Sequence, residues 1–469
     1  MASKKYSSCF IPVLILVLIF SFPVNLFAVG STGIENASFS AESLGQGNAV
    51  VAQANEPAAI SYNPAGIVDL PGLQVQPNIN FLSILTWFKS RTPDTVPGEK
   101  SSPTVVPVPT GYLTLNPGEL LGNRVAFGVG SDSPFGLLNK FDADHPIVRY
   151  AGWRNWFKMY TVKPVVAVKL FDWLSIGGGP MWYRVYDWGG IQAYPNRLVL
   201  GAGAADGQVR LNLSGQHWGW HMGVLAKPHK QHQFGFYFRS PVVVNTKGSA
   251  KVERGAVGTN FETGVDAKYP LPLNFTWAYA FKPIESTTIE FDFGYTRWST
   301  FERLFINHNP TGLSAGDNII IPLIALNPKD FRDSFSFHLG GNHKFNKKFT
   351  GRVGSLLYTP AGPNSSFIPA IPDANRLGYG GGFGYKITDH IVFDAMYLQL
   401  WNLRRNINND VAIALGVSED GDYTTLIHEF TFSFTYKWDN IFKDLGLSRS
   451  ESKEAAMESS IESVLPTTT

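Results

Sequence analysis

The sequence predicts an all-β protein, a transmembrane antiparallel β-barrel of about 14 strands that holds an N-terminal hatch in its lumen. Three observations lead to this fold class. The chain opens with a leader typical of exported proteins, it is rich in aromatic residues but poor in charge, and its apolar residues alternate with polar ones at a period of two. Since one residue of a barrel strand faces lipid and the next faces the lumen, this alternation is typical of a barrel wall.

The composition of the 469 residues differs from that of an ordinary soluble domain. Charged residues make up 16% of the chain and hydrophobic residues 44%, whereas soluble domains carry roughly 25% charged residues. The formal net charge is +2, which argues against a nucleic-acid partner. No apolar run of the ~18 residues needed for a transmembrane helix follows the leader. A soluble β-sandwich is the main alternative, but it does not require aromatic-rich faces on every strand.

The first 30 residues have the layout of a signal peptide. A pair of lysines is followed by an almost wholly apolar stretch at residues 10–22 and then by the small residues Ala28 and Gly30. We expect cleavage after one of these two small residues. The single cysteine of the chain, Cys9, lies within this leader. The mature chain is therefore expected to form no disulfide and no thiolate metal site.

The barrel wall is predicted over residues 72–438. Its last strand shows the pattern, because aromatic residues at every second position from Phe430 to Trp438 alternate with Thr, Ser and Lys. We predict strands at 72–83, 109–116, 123–131, 157–171, 174–188, 207–228, 232–252, 271–283, 286–308, 329–346, 349–361, 376–388, 390–401 and 425–438. Long loops are predicted near 84–108, 132–156, 189–206, 253–270, 309–328, 362–375 and 402–424, with tight turns between. This alternation of loop lengths is typical of outer-membrane barrels.

Residues 31–71 precede the wall and are predicted to fold back into the lumen as a hatch. A barrel of this size encloses room for water, which such a segment would fill. Within it, the proline after Asn63 disfavours helix at that residue, and Gly66 permits a left-handed conformation. The alternative is a disordered periplasmic tail, which the many Ala, Ile, Val and Leu residues disfavour. Residues 439–469 are rich in Ser, Glu and Lys and are expected to form a flexible periplasmic tail.

Six motifs, spread in order over the mature chain, resemble the FadL family of outer-membrane transporters. They are SYNPAG at 61–66, SDSPFGL at 131–137, DWLSIGGG at 172–179, FDFGYTRWSTF at 291–301, KDFRDSFSFHLGG at 329–341 and IPDANR at 371–376. The family takes up long-chain fatty acids and other hydrophobic compounds and includes toluene-type channels. The resemblance implies a 14-stranded barrel with an N-terminal hatch in the outer membrane of a Gram-negative bacterium. This chain departs from the family in continuing for about thirty residues after Trp438.

The resemblance also implies a route for the substrate. It implies capture at an extracellular groove, movement to an interior pocket, and lateral release into the membrane through a gap where the third strand kinks. The hatch residues implied to shape the route are Asn63, Pro64 and Ala65. The residues implied to form the lateral gap are Pro134, Phe135 and Gly136. Since proline cannot donate a ladder hydrogen bond and glycine accepts unusual backbone angles, a break there is physically reasonable. The alternative is that these three residues begin an external loop.

Two further sets of residues are candidates for binding the substrate. The loops near 189–206 and 253–270 are predicted to build the capture groove, because apolar residues occur where the chain should face water. These are Ile191, Tyr194, Leu198, Val199 and Leu200, which alternatively pack on neighbouring loops. Arg332 and Arg376 are predicted to point inward, either to pair with a substrate carboxylate or to pair with the lumen carboxylates Glu290 and Asp292.

The sequence contains no catalytic constellation, so we expect a transporter and not an enzyme. An outer-membrane hydrolase would need a nucleophile, a base and an orienting group together, whereas His217, His221 and His338 are scattered along the chain and no HExxH stretch occurs. A general diffusion porin is the closer alternative, and it would lack the hatch. We expect no cofactor and no metal, a hydrophobic small-molecule substrate, contact with outer-membrane lipid and lipopolysaccharide, and a monomer. Fatty acids, alkanes and aromatic compounds all fit the sequence.

Overall fold

The computed structural model describes residues 34–91, 98–194, 203–254, 260–302, 305–311, 330–367, 369, 371–408 and 420–445, so the predicted leader and the end of the predicted tail lie outside it. Its strands are β1 (Gly72–Ser90), β2 (Glu99–Lys100), β3 (Thr104–Asn116), β4 (Val125–Asp132), β5 (Leu137–Lys140), β6 (Arg154–Phe171), β7 (Leu174–Tyr194), β8 (Gly207–His229), β9 (His232–Arg239), β10 (Val242–Glu253), β11 (Phe261–Leu271), β12 (Asn274–Ile284), β13 (Thr287–Thr296), β14 (Phe305–His308), β15 (Ser334–Lys344), β16 (Phe349–Tyr358), β17 (Arg376–Lys386), β18 (Ile391–Ile407) and β19 (Gly421–Trp438). Its α-helices are α1 (Ala41–Gly45), α2 (Ala59–Tyr62) and α3 (Ile441–Asp444). Its 3₁₀ helices are Pro64–Asp69, Gly118–Leu121, Val148–Ala151, Trp298–Thr300 and Asn364–Ser366. None of the helices in the described ranges is long and apolar enough to cross a membrane.

These strands form one closed antiparallel barrel of 14 wall strands, which confirms the predicted fold class. Five wall strands are each made of two consecutive segments, namely β2–β3, β4–β5, β9–β10, β11–β12 and β13–β14. The first and last strands close the cylinder: Leu73 lies opposite Trp438 at one end of the ladder, and Ser90 lies opposite Gly421 at the other. Closure leaves neither the first nor the last strand as a free edge, which suits a bilayer because it offers no water to unpaired backbone groups.

Period-two alternation sets the two faces of the wall. In β19 the side chains of Phe430 and Phe434 are about half exposed on the outside, whereas Glu429, Thr431 and Ser433 are buried inside. Aromatic rings of adjacent strands contact one another on the outer face, as with Tyr397 and Phe430 at 4.9 Å between ring centroids. The pattern fits an apolar surface for lipid around a more polar lumen.

In the described part of the chain, strand residues occur in five of the seven predicted loops, namely 84–108, 132–156, 189–206, 253–270 and 402–424. Strand β11 occupies residues 261–271 and pairs with β10, although 253–270 was predicted to be a loop. Likewise β7 continues to Tyr194, within the predicted loop 189–206. In β11 the outward residues are charged, among them Glu262, Asp266 and Lys268, while the inward residues are apolar. The wall here has a polar outer face and an apolar inner face, the inverse of β19, so no lipid-facing aromatic residues mark it in the sequence.

The N-terminal segment, residues 34–71, lies inside the barrel. Most of its side chains are buried, and its 3₁₀ helix packs against β6, β7 and β8 while α1 packs against β16, β17 and β18. A close approach to the wall requires glycine at several wall positions: for example, a Cβ at Gly177 would overlap the carbonyl of Pro64, and a Cβ at Gly223 would overlap the side-chain oxygen of Asn63. The segment and the wall therefore fit together as one packed unit at this level.

Candidate functional site

Asn63, Pro64 and Ala65 join the N-terminal segment to the wall. The Asn63 amide donates to the carbonyl of Val51 at 2.7 Å and to that of Val224, in β8, at 3.0 Å. Its side-chain oxygen accepts from the backbone N–H of Ala65 at 3.3 Å, which caps the 3₁₀ helix that Pro64 begins. One fully buried side chain thus fixes the turn, the following helix and the neighbouring strand. The implied role of these residues in shaping a route stays a prediction.

The lumen carboxylates Glu290 and Asp292 bind backbone N–H groups of the N-terminal segment. Asp292 accepts from Val50 and Val51 at 3.2 Å each. Glu290 accepts from the next two residues, Ala52 at 2.6 Å and Gln53 at 3.1 Å. Four consecutive donors that have no helical partner are thereby satisfied by two side chains of β13.

The predicted pairing of these carboxylates with arginine is therefore wrong. Arg376 is buried, and its Nε donates to Asn402 Oδ1 at 2.6 Å, while the carboxyl of Asp373 attracts its positive charge. Burial raises the pKa of Asp373, although its carboxylate accepts two backbone N–H groups. Arg332 precedes β15 and its side chain is exposed, so the prediction that it points into the lumen is wrong as well. The alternation of inward and outward residues does not apply to Arg332, because the residue lies before the strand and outside the ladder.

The third wall strand breaks at Pro134–Gly136. Strand β4 pairs with β3 from Phe127 to Ser131, opposite Leu115 to Gly111, and ends at Asp132. Strand β5, which follows the break, pairs with β6. Within the described residues no ladder pair joins β5 to β3, and the two sides are next linked by the backbone hydrogen bond from Ser102 N to Lys140 O at 2.8 Å. The wall beside residues 104–110 thus lacks a continuous ladder on one side.

Residues 34–36 hydrogen-bond to the broken stretch from inside the barrel. The N–H of Gly136 donates to the carbonyl of Ile34 at 2.7 Å, and the N–H of Asn36 donates to the carbonyl of Pro134 at 2.8 Å. Glu35 and Phe135 lie between these bonds as an isolated antiparallel pair. The N-terminal segment therefore satisfies backbone groups that a regular neighbouring strand would otherwise satisfy.

Aromatic side chains connect this break to the interior on its long-loop side. Successive ring centroids lie 4.9–6.1 Å apart along the series Phe135, Trp298, Phe331, Phe301, Tyr269, Phe157. All six rings are buried and belong to the largest apolar cluster of the interior, which we call the aromatic array. The indole N–H of Trp298 has no hydrogen-bond partner there. The array is an apolar surface with one unused donor.

A small cavity of about 80 Å³ lies between the N-terminal segment and the wall, next to Pro134. Two buried cations line it. Arg239 donates to Glu35 at 2.7 Å and lies over the ring of Phe135, with its Nε atom unpartnered. Lys163 pairs with Asp132 at 2.5 Å. Sequence reasoning missed both cations, although each occupies an inward position of an alternating strand, which was the available signal.

The structure places two of the five predicted capture residues. Ile191 and Tyr194 belong to β7 and are only 1% and 7% exposed, so the prediction that they face water from a loop is wrong. They are buried because β7 stays paired with β8 to its end and because the Tyr194 hydroxyl donates to Arg254 O at 2.5 Å. Leu198, Val199 and Leu200 lie outside the described residues. A role in capture stays a prediction for all five.

Comparison with known proteins gives the same assignment by sequence and by fold. Residues 27–438 match the family model described as outer membrane protein transport protein (OMPP1/FadL/TodX). The chain is 24% identical to a long-chain fatty acid transport protein of Escherichia coli over 60% of this chain and 56% of that protein, and 22% identical to a 47 kDa outer membrane protein of Pasteurella multocida over 80% and 86%.

Solved structures share the fold at low sequence identity. A Pseudomonas aeruginosa FadL homologue superposes with a TM-score of 0.72 at 17% identity, covering 86% of this chain and 99% of that one. The Ralstonia pickettii toluene transporter TbuX superposes with a TM-score of 0.61 at 17% identity, covering 88% and 99%. These proteins are described as transporters or outer membrane proteins, and the barrel fits the outer membrane of a Gram-negative bacterium. The chain belongs to the OMPP1/FadL/TodX family of outer membrane transport proteins.

Proposed function

We propose that this protein takes up hydrophobic compounds across the outer membrane and releases them sideways into the bilayer through the break at Pro134–Gly136. The observation that carries the proposal is the joint position of that break and the aromatic array, which begins at Phe135 itself. A hydrophobic solute in the array would need only to pass the broken ladder to reach lipid. The named activities of the similar proteins, transport of long-chain fatty acids and of toluene, support the same class of substrate.

Passage of a solute from the aromatic array straight through the lumen to the short-turn end is disfavoured by the polar groups that fill the lumen there. There the lumen contains the N-terminal segment, the Asp132–Lys163 ion pair and the two carboxylates of β13. An apolar solute crossing this layer would leave buried polar groups unpaired, which is costly. In this proposal the segment is a hatch that closes the lumen, and it also acts as a gate, because residues 34–36 hydrogen-bond to the broken strand from inside.

The size of the cavity indicates that the gate has to move. Sites for small organic ligands usually have volumes of about 300–1,000 Å³, whereas the cavity beside Arg239 holds about 80 Å³. A substrate therefore fits only if residues 34–36 are displaced from the break. Arg239 is placed to meet a carboxylate at that point, so a long-chain fatty acid is favoured over a neutral hydrocarbon. In this proposal Arg239 takes the role that the sequence suggested for Arg332 or Arg376.

A reversible cross-link tests the gate. Glu35 and Phe135 face each other as a non-hydrogen-bonded antiparallel pair, since the bonds of Ile34 and Asn36 flank them. Such pairs have Cα atoms roughly 4.5 Å apart, which suits a disulfide. In cells expressing Glu35→Cys/Phe135→Cys, uptake of labelled oleate and labelled toluene should stop after oxidation and return after reduction. The two single variants, treated alike, report the effect of each substitution alone.

Unchanged uptake by the oxidised double variant would rule out the gate, and equal uptake by cells with and without the protein would rule out transport of both compounds. A general diffusion porin remains the competing function. It predicts large, steady ion currents in planar bilayers, whereas a barrel closed by its own N-terminal segment predicts little current.

A further inference from the structure

Three neighbouring turns at the short-turn end of the barrel carry an excess of positive charge. They lie between β8 and β9, between β12 and β13, and between β15 and β16. Backbone hydrogen bonds of 2.8 Å, from Lys282 N to Gln231 O and from Lys344 N to Ser286 O, hold each turn against the next. Short turns of outer-membrane barrels lie on the periplasmic side. The charge therefore lies at the level of the headgroups of the inner leaflet.

The cations of these turns have few acidic partners. Lys227 pairs with Asp69 of the N-terminal segment at 2.6 Å. The other five form no ion pair with any residue that the structure describes, and they are Lys230, Lys282, Lys344, Lys347 and Lys348. Glu285 is the single acidic residue in the three turns. We call the exposed lysines at the turn tips, Lys230, Lys347 and Lys348, the basic tips.

An apolar groove of about 420 Å³ lies on the outer wall beside the first two of these turns. Its sides are the rings of Phe234, Phe236, Trp277, Tyr279, Phe291 and Phe293. Within it, Phe234 and Tyr279 lie 5.2 Å apart, and Trp277 stacks on Phe293 at 5.8 Å between ring centroids. The groove forms because small side chains of β8 lie opposite large ones of β9: Val224 opposite Phe236, and Ala226 opposite Phe234.

The groove and the basic tips meet at a polar edge. The Tyr279 hydroxyl lies 2.7 Å from His232 Nδ1, and the His232 ring stacks on Tyr279. His232 is two residues from the basic tip Lys230 and two residues from Phe234 in the groove, which is about 7 Å along an extended chain. The apolar groove thus ends a short distance from the basic tips, whose lysines have no carboxylate partners among the described residues.

We propose that this surface binds an anionic phospholipid of the inner leaflet, with an acyl chain in the aromatic groove and the phosphate at the basic tips. The opposite signs of the phosphate and the lysines select the headgroup, and lysines near a membrane surface attract anionic lipids. The aromatic rings and the short side chains of Val224 and Ala226 hold the acyl chain. The site lies on the outside of the wall, apart from the lumen and from the proposed lateral route.

Native mass spectrometry of the full-length, detergent-purified protein tests the headgroup. The probes are phosphatidylglycerol, phosphatidylcholine with the same acyl chains, and oleate. The variant Lys230→Gln/Lys347→Gln/Lys348→Gln should lower phosphatidylglycerol binding by at least about fivefold and bring it to the level of phosphatidylcholine. The matched control, Lys247→Gln/Lys251→Gln/Lys268→Gln, neutralises three exposed lysines near the long-loop end and should leave binding unchanged.

A groove variant tests the acyl chain independently of charge. Ala226→Trp should fill the groove and reduce phosphatidylglycerol binding, whereas Ala395→Trp, at another partly exposed alanine of the wall, should not. Equal binding of phosphatidylglycerol and phosphatidylcholine by the wild type would overturn the proposal, as would full binding by the triple glutamine variant. Oleate that competes as well as phosphatidylglycerol would assign the surface to free fatty acid and overturn it too. None of these readouts depends on uptake.

Discussion

Asp132 and Lys163 form an ion pair of 2.5 Å inside the barrel, at the residue where β4 ends and the wall strand breaks. Their side chains are 2% and 1% exposed. Lys163 Nζ also donates to Ser61 Oγ at 3.1 Å, and Thr161 donates to the Asp132 carboxylate. One buried cation thereby links the N-terminal segment to the edge of the break.

Removing one partner of this pair should destabilise the barrel strongly. Lys163→Met leaves the Asp132 carboxylate buried without its cation, which costs about 3–5 kcal/mol in comparable sites. The double variant Asp132→Asn/Lys163→Met should recover most of that loss, because no lone charge remains. Urea unfolding of the protein in detergent micelles measures both. A double variant as unstable as Lys163→Met would show that the charge pairing is not the cause.

Loss of the carboxylates of β13 should loosen the hatch. In Glu290→Gln/Asp292→Asn each side chain keeps an acceptor but loses the charge that strengthens its bonds to the backbone of residues 50–53. We expect more frequent open-channel currents in planar bilayers than in the wild type. Glu262→Gln/Asp266→Asn, on the exposed face of β11, is the matched control and should behave as the wild type. Equal currents in all three proteins would contradict an anchoring role.

The contact between Asn63 and the wall should depend on the absence of a side chain at Gly223. A methyl group there would overlap the Asn63 side-chain oxygen, so Gly223→Ala should displace the turn that begins at Pro64. We expect faster cleavage of the N-terminal segment by protease added from the periplasmic side, with the barrel still migrating as a folded species on gels. Gly264→Ala, where a Cβ meets no atom within 4 Å, should not change cleavage.

The stability of the protein should fall between about pH 4.5 and pH 8 in part because of Glu56. Burial raises the pKa of this hatch residue from 4.5 to about 8, and nearby Glu42 adds to the rise. Within that window the folded state keeps a proton that the unfolded state has lost, so the stability contributed at low pH disappears as the pH increases. Glu56→Gln should flatten the dependence of unfolding on pH. The exposed variant Glu119→Gln should leave the wild-type slope unchanged.

Arg239 should distinguish acidic from neutral substrates. If its guanidinium meets a carboxylate in the cavity, Arg239→Met should lower uptake of oleate several-fold while uptake of toluene stays near the wild-type rate. Glu35→Gln keeps the cation and removes its present partner, so oleate uptake should persist. Folding of both variants is checked by heat-modifiable migration on gels. Parallel losses for both substrates in Arg239→Met would indicate a structural role for the arginine instead.

Sequence reasoning located part of the candidate site but not its contacts. The family resemblance singled out Pro134, Phe135 and Gly136, where proline and glycine make a break physically reasonable, and the ladder does break at these residues. Sequence reasoning offered Arg376 either a substrate carboxylate or the lumen carboxylates as partner, whereas in the structure that side chain donates to Asn402. Parity along a strand tells which side of the wall a residue faces, but it does not tell which residue lies across the lumen from it.

By itself, the sequence determined the barrel: 14 strands, their order, and the alternation of short turns with longer connections. These follow from local information, since period-two patterning and turn residues act over a few neighbours. Only the tertiary structure decided how the lumen is filled. The bonds from Asn36 to Ser133 and from Ala52 to Glu290 join residues 97 and 238 positions apart. The N-terminal segment has no period that fixes its register against the wall, so its partners are set by packing inside the closed cylinder.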